Sequence, residues 1–126
     1  MHSLAFLLCL LATPLALAQQ SSVYTCRFEN DPHGFSSVRM KKYFDAQSNM
    51  ELGKIDLIQN FVIVETTPTK VYQIPLLDNQ SYVQLWHSAN LRVDAQLLYS
   101  QGSHEFRANY VKNSEKQKLI CVELRN

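Results

Sequence analysis

The chain has 126 residues with 12 basic and 11 acidic side chains, a formal net charge of +1, and only three glycines and four prolines. A near-neutral chain of this size makes no long-range field for collecting nucleic acid or adhering to an anionic membrane surface. Scarce glycine and proline, without Ser/Gly runs or charge blocks, exclude a long linker and leave one domain with a modest core.

Residues 4–11 read Leu-Ala-Phe-Leu-Leu-Cys-Leu-Leu. That run suits the core of a signal peptide but falls short of the roughly 18 to 20 residues of a membrane span. Pro14 breaks its helix, and Ala16-Leu17-Ala18 supplies a small-x-small cleavage pattern, although no Lys or Arg precedes the run. The expected organisation is a signal peptide over 1–18, a flexible lead-in over 19–22 and a single β domain over 23–126. Cys9 belongs to the leader, and bulky Leu8 before it disfavours lipid attachment. No second membrane-length run follows, so the product is expected to be exported, periplasmic or extracellular, with no transmembrane segment.

Cys26 and Cys121 are the cysteines left in the mature chain. In an oxidising compartment their simplest use is one disulfide, which would stabilise a loop of this length by roughly 4 to 5 kcal/mol. A metal site would need about four ligands, and no Cys-x-x-Cys or His-x-x-x-His spacing is present. A nucleophilic thiol would be exposed to oxidation. No cofactor or metal is expected.

Alternation of apolar and polar residues predicts strands throughout. Over residues 23–29, Tyr24, Cys26 and Phe28 share one side; Asn30-Asp31-Pro32-His33-Gly34 is a loop signal. Residues 37–44 form a strand with Val38 and Met40 inward. Met50 and Leu52 are out of phase with Ile55 and Leu57, and a bulge or break at Gly53 would explain the switch. Residues 61–64, continuously apolar and β-branched, read as a strand buried on both faces. Tyr72, Ile74 and Leu76 form the next inward set. After a turn at Asp78-Asn79-Gln80-Ser81 comes a strand over 82–87. The cleanest signal places Leu91, Val93, Ala95, Leu97 and Tyr99 inward, with only Leu98 intruding on the polar face. Gly102 serves a hairpin loop, Phe106, Ala108 and Tyr110 line the returning strand, and 119–124 is the last strand.

Short connections favour an antiparallel meander, and a sheet of about eight strands must curl. The expected fold is all-β, a closed or nearly closed barrel, with a two-sheet sandwich as the alternative. In a closed barrel the first and last strands are neighbours, which a Cys26–Cys121 bond would tie.

Beyond the leader three histidines remain, His33, His87 and His104, which offer acid–base chemistry, but no nucleophile motif accompanies them and strand ends normally carry polar residues. Asp56, Glu65, Asp94 and Glu105 read as solvated strand faces. Arg39-Met40-Lys41-Lys42-Tyr43 combines charge with an aromatic ring, a footprint too small to predict nucleic-acid binding. No catalytic residue is assigned. Tyr82 and Trp86 share a strand face with Gln84. If Val83 and Leu85 face the core, the two rings form a surface binding pair; in the opposite phase they fill the barrel. Asn79-Gln80-Ser81 matches an N-glycosylation sequon.

Val-Tyr-Thr-Cys at Val23 to Cys26, with the leader, the barrel-sized length and the late cysteine, is similar to the periplasmic c-type-lysozyme inhibitors. The glycine- and lysine-bearing loop motif of that family has no counterpart here, and the tail reads Cys-Val-Glu-Leu rather than a terminal Cys-Gly, so no functional residue carries over. The sequence favours a non-enzymatic exported binding or inhibitor module whose partner is a protein or envelope component. A small secreted hydrolase using His87 or His104, and a structural accessory of an envelope assembly, are the alternatives.

Overall fold

The computed structural model describes residues 21–31, 33–78, 80–90 and 92–124. Eight strands follow one another: β1 Ser21–Phe28, β2 Ser36–Asp45, β3 Met50–Gln59, β4 Val62–Pro75, β5 Ser81–Ser88, β6 Val93–Ser100, β7 Glu105–Lys112 and β8 Glu115–Leu124. Each pairs antiparallel with the next, and β1 pairs with β8, closing an eight-stranded meander barrel. Closure leaves no strand edge for intermolecular pairing. Among the described residues there is no helix long and apolar enough to cross a membrane.

The seam between β1 and β8 sets Cys26 directly opposite Cys121, and the two form a disulfide with Cα atoms 4.0 Å apart across a sequence separation of 95. Both sulfurs are fully buried, with Cys26 Sγ 3.9 Å from Met40 Sδ. The bond fixes the one strand pair that no hairpin connects. Two turns show why the register is tight. Asn60-Phe61 and Asn113-Ser114 are two-residue loops with positive φ at both positions, the backbone that matches strand twist in hairpins. Gly102 takes φ 86° in the β6–β7 loop, as its sequence context predicts.

The barrel interior is filled by alternate side chains. Tyr24, Cys26 and Phe28, Val38 and Met40, Val93, Ala95 and Leu97, and Phe106, Ala108 and Tyr110 all face inward and are buried. Leu91 lies outside the described residues, as do the leader and Asn79. Ser21 and Ser22, expected in a flexible lead-in, are instead the first residues of β1, opposite Tyr43 and Lys42.

Three phase expectations are corrected. There is no break at Gly53, because β2 and β3 pair without interruption from Ser36↔Gln59 to Asp45↔Met50. Gly53 faces inward with Ile55 and Leu57, and the irregularity lies instead where Leu57 opposes Glu65 and Ile58 opposes Ile63. The two-sided burial expected of 61–64 is absent: Phe61, Val62, Ile63 and Val64 are all exposed. Tyr72 and Ile74 are 47% and 48% exposed, and Leu76 is exposed as well, so this set faces outward while Val71 and Thr69 turn in. The cause is that β4 carries apolar residues on both faces, so periodicity alone does not choose between them.

Candidate functional site

Trp86 is wholly buried, which rules out a surface pair with Tyr82. Val83 and Leu85 point outward, and Tyr82, Gln84 and Trp86 point in. Gln84, the polar residue that makes this face look wet in the sequence, is satisfied from both sides. Trp86 Nε1–H donates to its Oε1 at 3.2 Å, and its Nε2 donates to the Tyr24 hydroxyl at 3.0 Å. Tyr24 is bonded in turn to Glu123, its cross-strand neighbour. Burial pushes the Tyr24 phenol far above its ordinary value; the Gln84 bond opposes the shift and Glu123 adds to it. Tyr82 is half-buried and stacks on Tyr99 at a ring separation of 4.7 Å, and Tyr99 stacks on Phe106 at 4.8 Å. These rings cement the core.

The antiparallel order gathers the β1–β2, β3–β4, β5–β6 and β7–β8 connections at one end and the other three at the opposite end. His87, next to the last residue of β5, lies toward the first end; His104, in the β6–β7 loop, lies at the other. They do not share a site. His33 is exposed in the β1–β2 loop with its ring 6.0 Å from that of Phe35.

The four carboxylates also separate. Asp56, covered by its strand neighbours on the outer wall, accepts from Arg39 Nε and Nη2 at 3.1 and 2.9 Å and from Thr66 Oγ1 at 2.7 Å. Burial would raise its pKa, but the Thr66 bond and the Arg39 guanidinium outweigh that and hold the carboxyl below its usual value. Glu65 accepts from Lys112 across one mouth of the barrel. Burial, with Glu65 nearby, pushes the Tyr110 phenol up to about 12. Asp94 is hydrogen-bonded to His87 Nδ1 at 2.9 Å, and Glu105 is exposed at the start of β7. The basic segment is divided too: Arg39 engages Asp56 on the outer wall, whereas Lys42 turns to Glu51 at 3.7 Å. Among the described residues no three His, Cys, Asp or Glu side chains converge as metal ligands.

Two features stand out on the surface. The first is the tip of the β3–β4 hairpin, where Phe61 is 90% exposed and Val62, Ile63 and Val64 follow it into water. The tip is held against the β1–β2 loop by Asn60 N–H donating to the Phe35 carbonyl at 2.8 Å, and the Phe35 ring is exposed beside it. The second is a groove of about 610 Å³ on the wall of β2 to β5, where Tyr43, Leu52, Pro68, Lys70, Tyr72 and His87 contribute. The sequence reading missed both. An apolar run such as 61–64 fits a buried strand and an exposed tip equally well; the preceding Asn60 was the available turn signal. The groove residues come from four strands, and only the barrel register brings them together.

No family model matches the chain, and no curated protein matches it. A crystal structure of a "putative beta-lactamase" from Burkholderia vietnamiensis is similar in fold, with a TM-score of 0.55 and 10% identity over 82% of this chain and 90% of that one. At that identity the likeness is one of fold alone.

Proposed function

We propose that this chain is an exported, disulfide-tied binding or inhibitor module that engages a protein partner or envelope component through the tip of the β3–β4 hairpin. The observation that carries the reading is Phe61 itself. It occupies the second position of a two-residue turn with φ 67°, a conformation that favours glycine and disfavours bulky side chains. Its ring is 90% in water, and three more exposed apolar side chains follow it. A residue that is both strained and exposed stabilises nothing in the free molecule, and such outliers concentrate at functional positions. A convex knob of this kind fits a concave apolar pocket on the partner, with an aromatic anchor at its centre. The fully buried Cys26–Cys121 bond supports an oxidising compartment.

The experiment is site-specific photocrosslinking in the source cells, with a photoreactive phenylalanine analogue at position 61 and, as control, at Lys118 on the opposite wall. The expected result is one discrete adduct from position 61, lost when Val62→Asp is added, and none from position 118. Identical adduct patterns from both positions would refute the reading.

A second reading is favoured by the His87–Asp94 bond, because a carboxylate that fixes one imidazole nitrogen leaves the other oriented for proton transfer. Hydrolysis of an ester, peptide, glycoside or RNA that His87→Ala abolishes and Phe61→Gly leaves intact would put this reading in place of the first.

A further inference from the structure

The groove on the outer wall is separate from the hairpin tip and carries its own chemistry. Its axis follows the pairing register: Tyr43 on β2 opposes Leu52 on β3, Leu52 opposes Lys70 on β4, and Lys70 opposes His87 on β5. Strands spaced by about 4.8 Å make that row roughly 14 Å long. With a volume of about 610 Å³, the groove lies in the range of small-molecule sites. Tyr43 and Tyr72 each expose part of a ring, and Leu52 and Pro68 complete apolar walls.

The charges nearest it are positive, and the Asp56 carboxylate, which interacts with Lys54, is already engaged by Thr66 and Arg39. Lys70 is exposed and makes no ion pair among the described residues. In the adjacent row Lys41 on β2 faces Lys54 on β3 directly, and Lys54 opposes Pro68, which lines the groove. Two like charges directly opposed across a strand pair are destabilising, and an anion between them would relieve the repulsion. The nearest acid in the Lys70 row, Asp94, is committed to His87 Nδ1 at 2.9 Å.

We propose that this groove binds a small amphiphilic anion, a flat apolar body lying between Tyr43 and Tyr72 with its carboxylate or sulfonate at Lys70 and the Lys41–Lys54 pair. The apolar walls supply affinity by burial, and the lysine cluster selects charge.

The test uses 8-anilinonaphthalene-1-sulfonate, titrated by fluorescence against the folded, oxidised protein. Saturable one-to-one binding is expected, weakened about tenfold or more, or 1.4 kcal/mol, by Lys70→Glu and by Tyr72→Ser. Both side chains are exposed, so the variants are expected to fold, as checked by circular dichroism. Phe61→Gly should leave binding unchanged, which keeps this site distinct from the hairpin tip. Uncharged N-phenyl-1-naphthylamine should bind more weakly than the sulfonate. The proposal is overturned if the groove variants bind the dye like the parent, if Phe61→Gly removes the binding, or if the uncharged analogue binds equally well.

Discussion

A Cβ atom on residue 53 would lie 2.5 Å from Cζ3 of Trp86, so Gly53 is the gap that the indole fills. The contact reaches across β4: Trp86 opposes Val71, and Gly53 opposes Thr69. The same added atom would sit 2.9 Å from Val71 Cγ2. A small residue is therefore required on β3 because the largest one in the core lies on β5.

Gly53→Ala should overpack this contact and cost about 1 to 3 kcal/mol. The penalty should shrink in a Trp86→Phe background, where the smaller ring leaves room. A double-mutant cycle by urea denaturation measures it. Equal penalties in both backgrounds would mean that the alanine acts through the backbone and not through the indole.

The Cys26–Cys121 bond joins strands that no turn connects. Reducing it frees a long loop in the unfolded chain, at an expected cost of roughly 4 to 5 kcal/mol. The oxidised protein should take up no thiol reagent at either position. In the doubly substituted Cys26→Ala, Cys121→Ala chain, the denaturation midpoint should fall and the slope should rise, because the unfolded chain without the cross-link exposes more surface. Stoichiometric labelling without reductant would show that the bond is not formed.

How legible the fold was depended on which face of each strand carried the contrast. On β6, Val93, Ala95 and Leu97 alternate with Asp94 and Gln96, and the inward phase is read correctly. On β5 the contrast is reversed: the buried face holds Gln84, and the outer face holds Val83 and Leu85. Trp86 satisfies the carbonyl of this core glutamine and the long-range partner Tyr24 its amide, and no local pattern reports the second. Outward Ile74, Val83 and Leu98 are direct neighbours across three strands, which accounts for Leu98 on an otherwise polar face. The candidate sites were less legible than the barrel, because both depend on exposure and register rather than composition.

The two tight turns provide an internal comparison. Ser114 and Phe61 occupy equivalent positions with φ 69° and 67°. Glycine should relieve the left-handed conformation at each, stabilising the protein by about 1 kcal/mol. Phe61→Gly and Ser114→Gly should therefore raise the thermal midpoint by similar amounts, while only the former impairs partner binding. A loss of stability specific to Phe61→Gly would show that the ring packs on its own barrel, and would remove the strain argument for its function.

Asp56 sets the expected acid response. Its carboxyl is held below the ordinary value by Thr66 and Arg39, which outweigh its burial, so the unfolded chain takes up a proton at higher pH than the folded one. The stability it contributes is therefore fully present above the unfolded carboxylate pKa of about 4 and is lost as pH falls through the lower, folded value. Asp78, which accepts from the Gln80 and Ser81 amides and the Ser81 hydroxyl, has its carboxyl lowered by these bonds and adds to the same limb. Asp56→Asn should cost on the order of 1 kcal/mol at neutral pH, since Arg39 is partly solvated. It should also flatten the decline of stability below about pH 4. Urea unfolding at several pH values between about 2 and 7 provides the check. An unchanged acid slope in Asp56→Asn would mean that the Arg39–Asp56 contact contributes equally whether or not the carboxyl is charged.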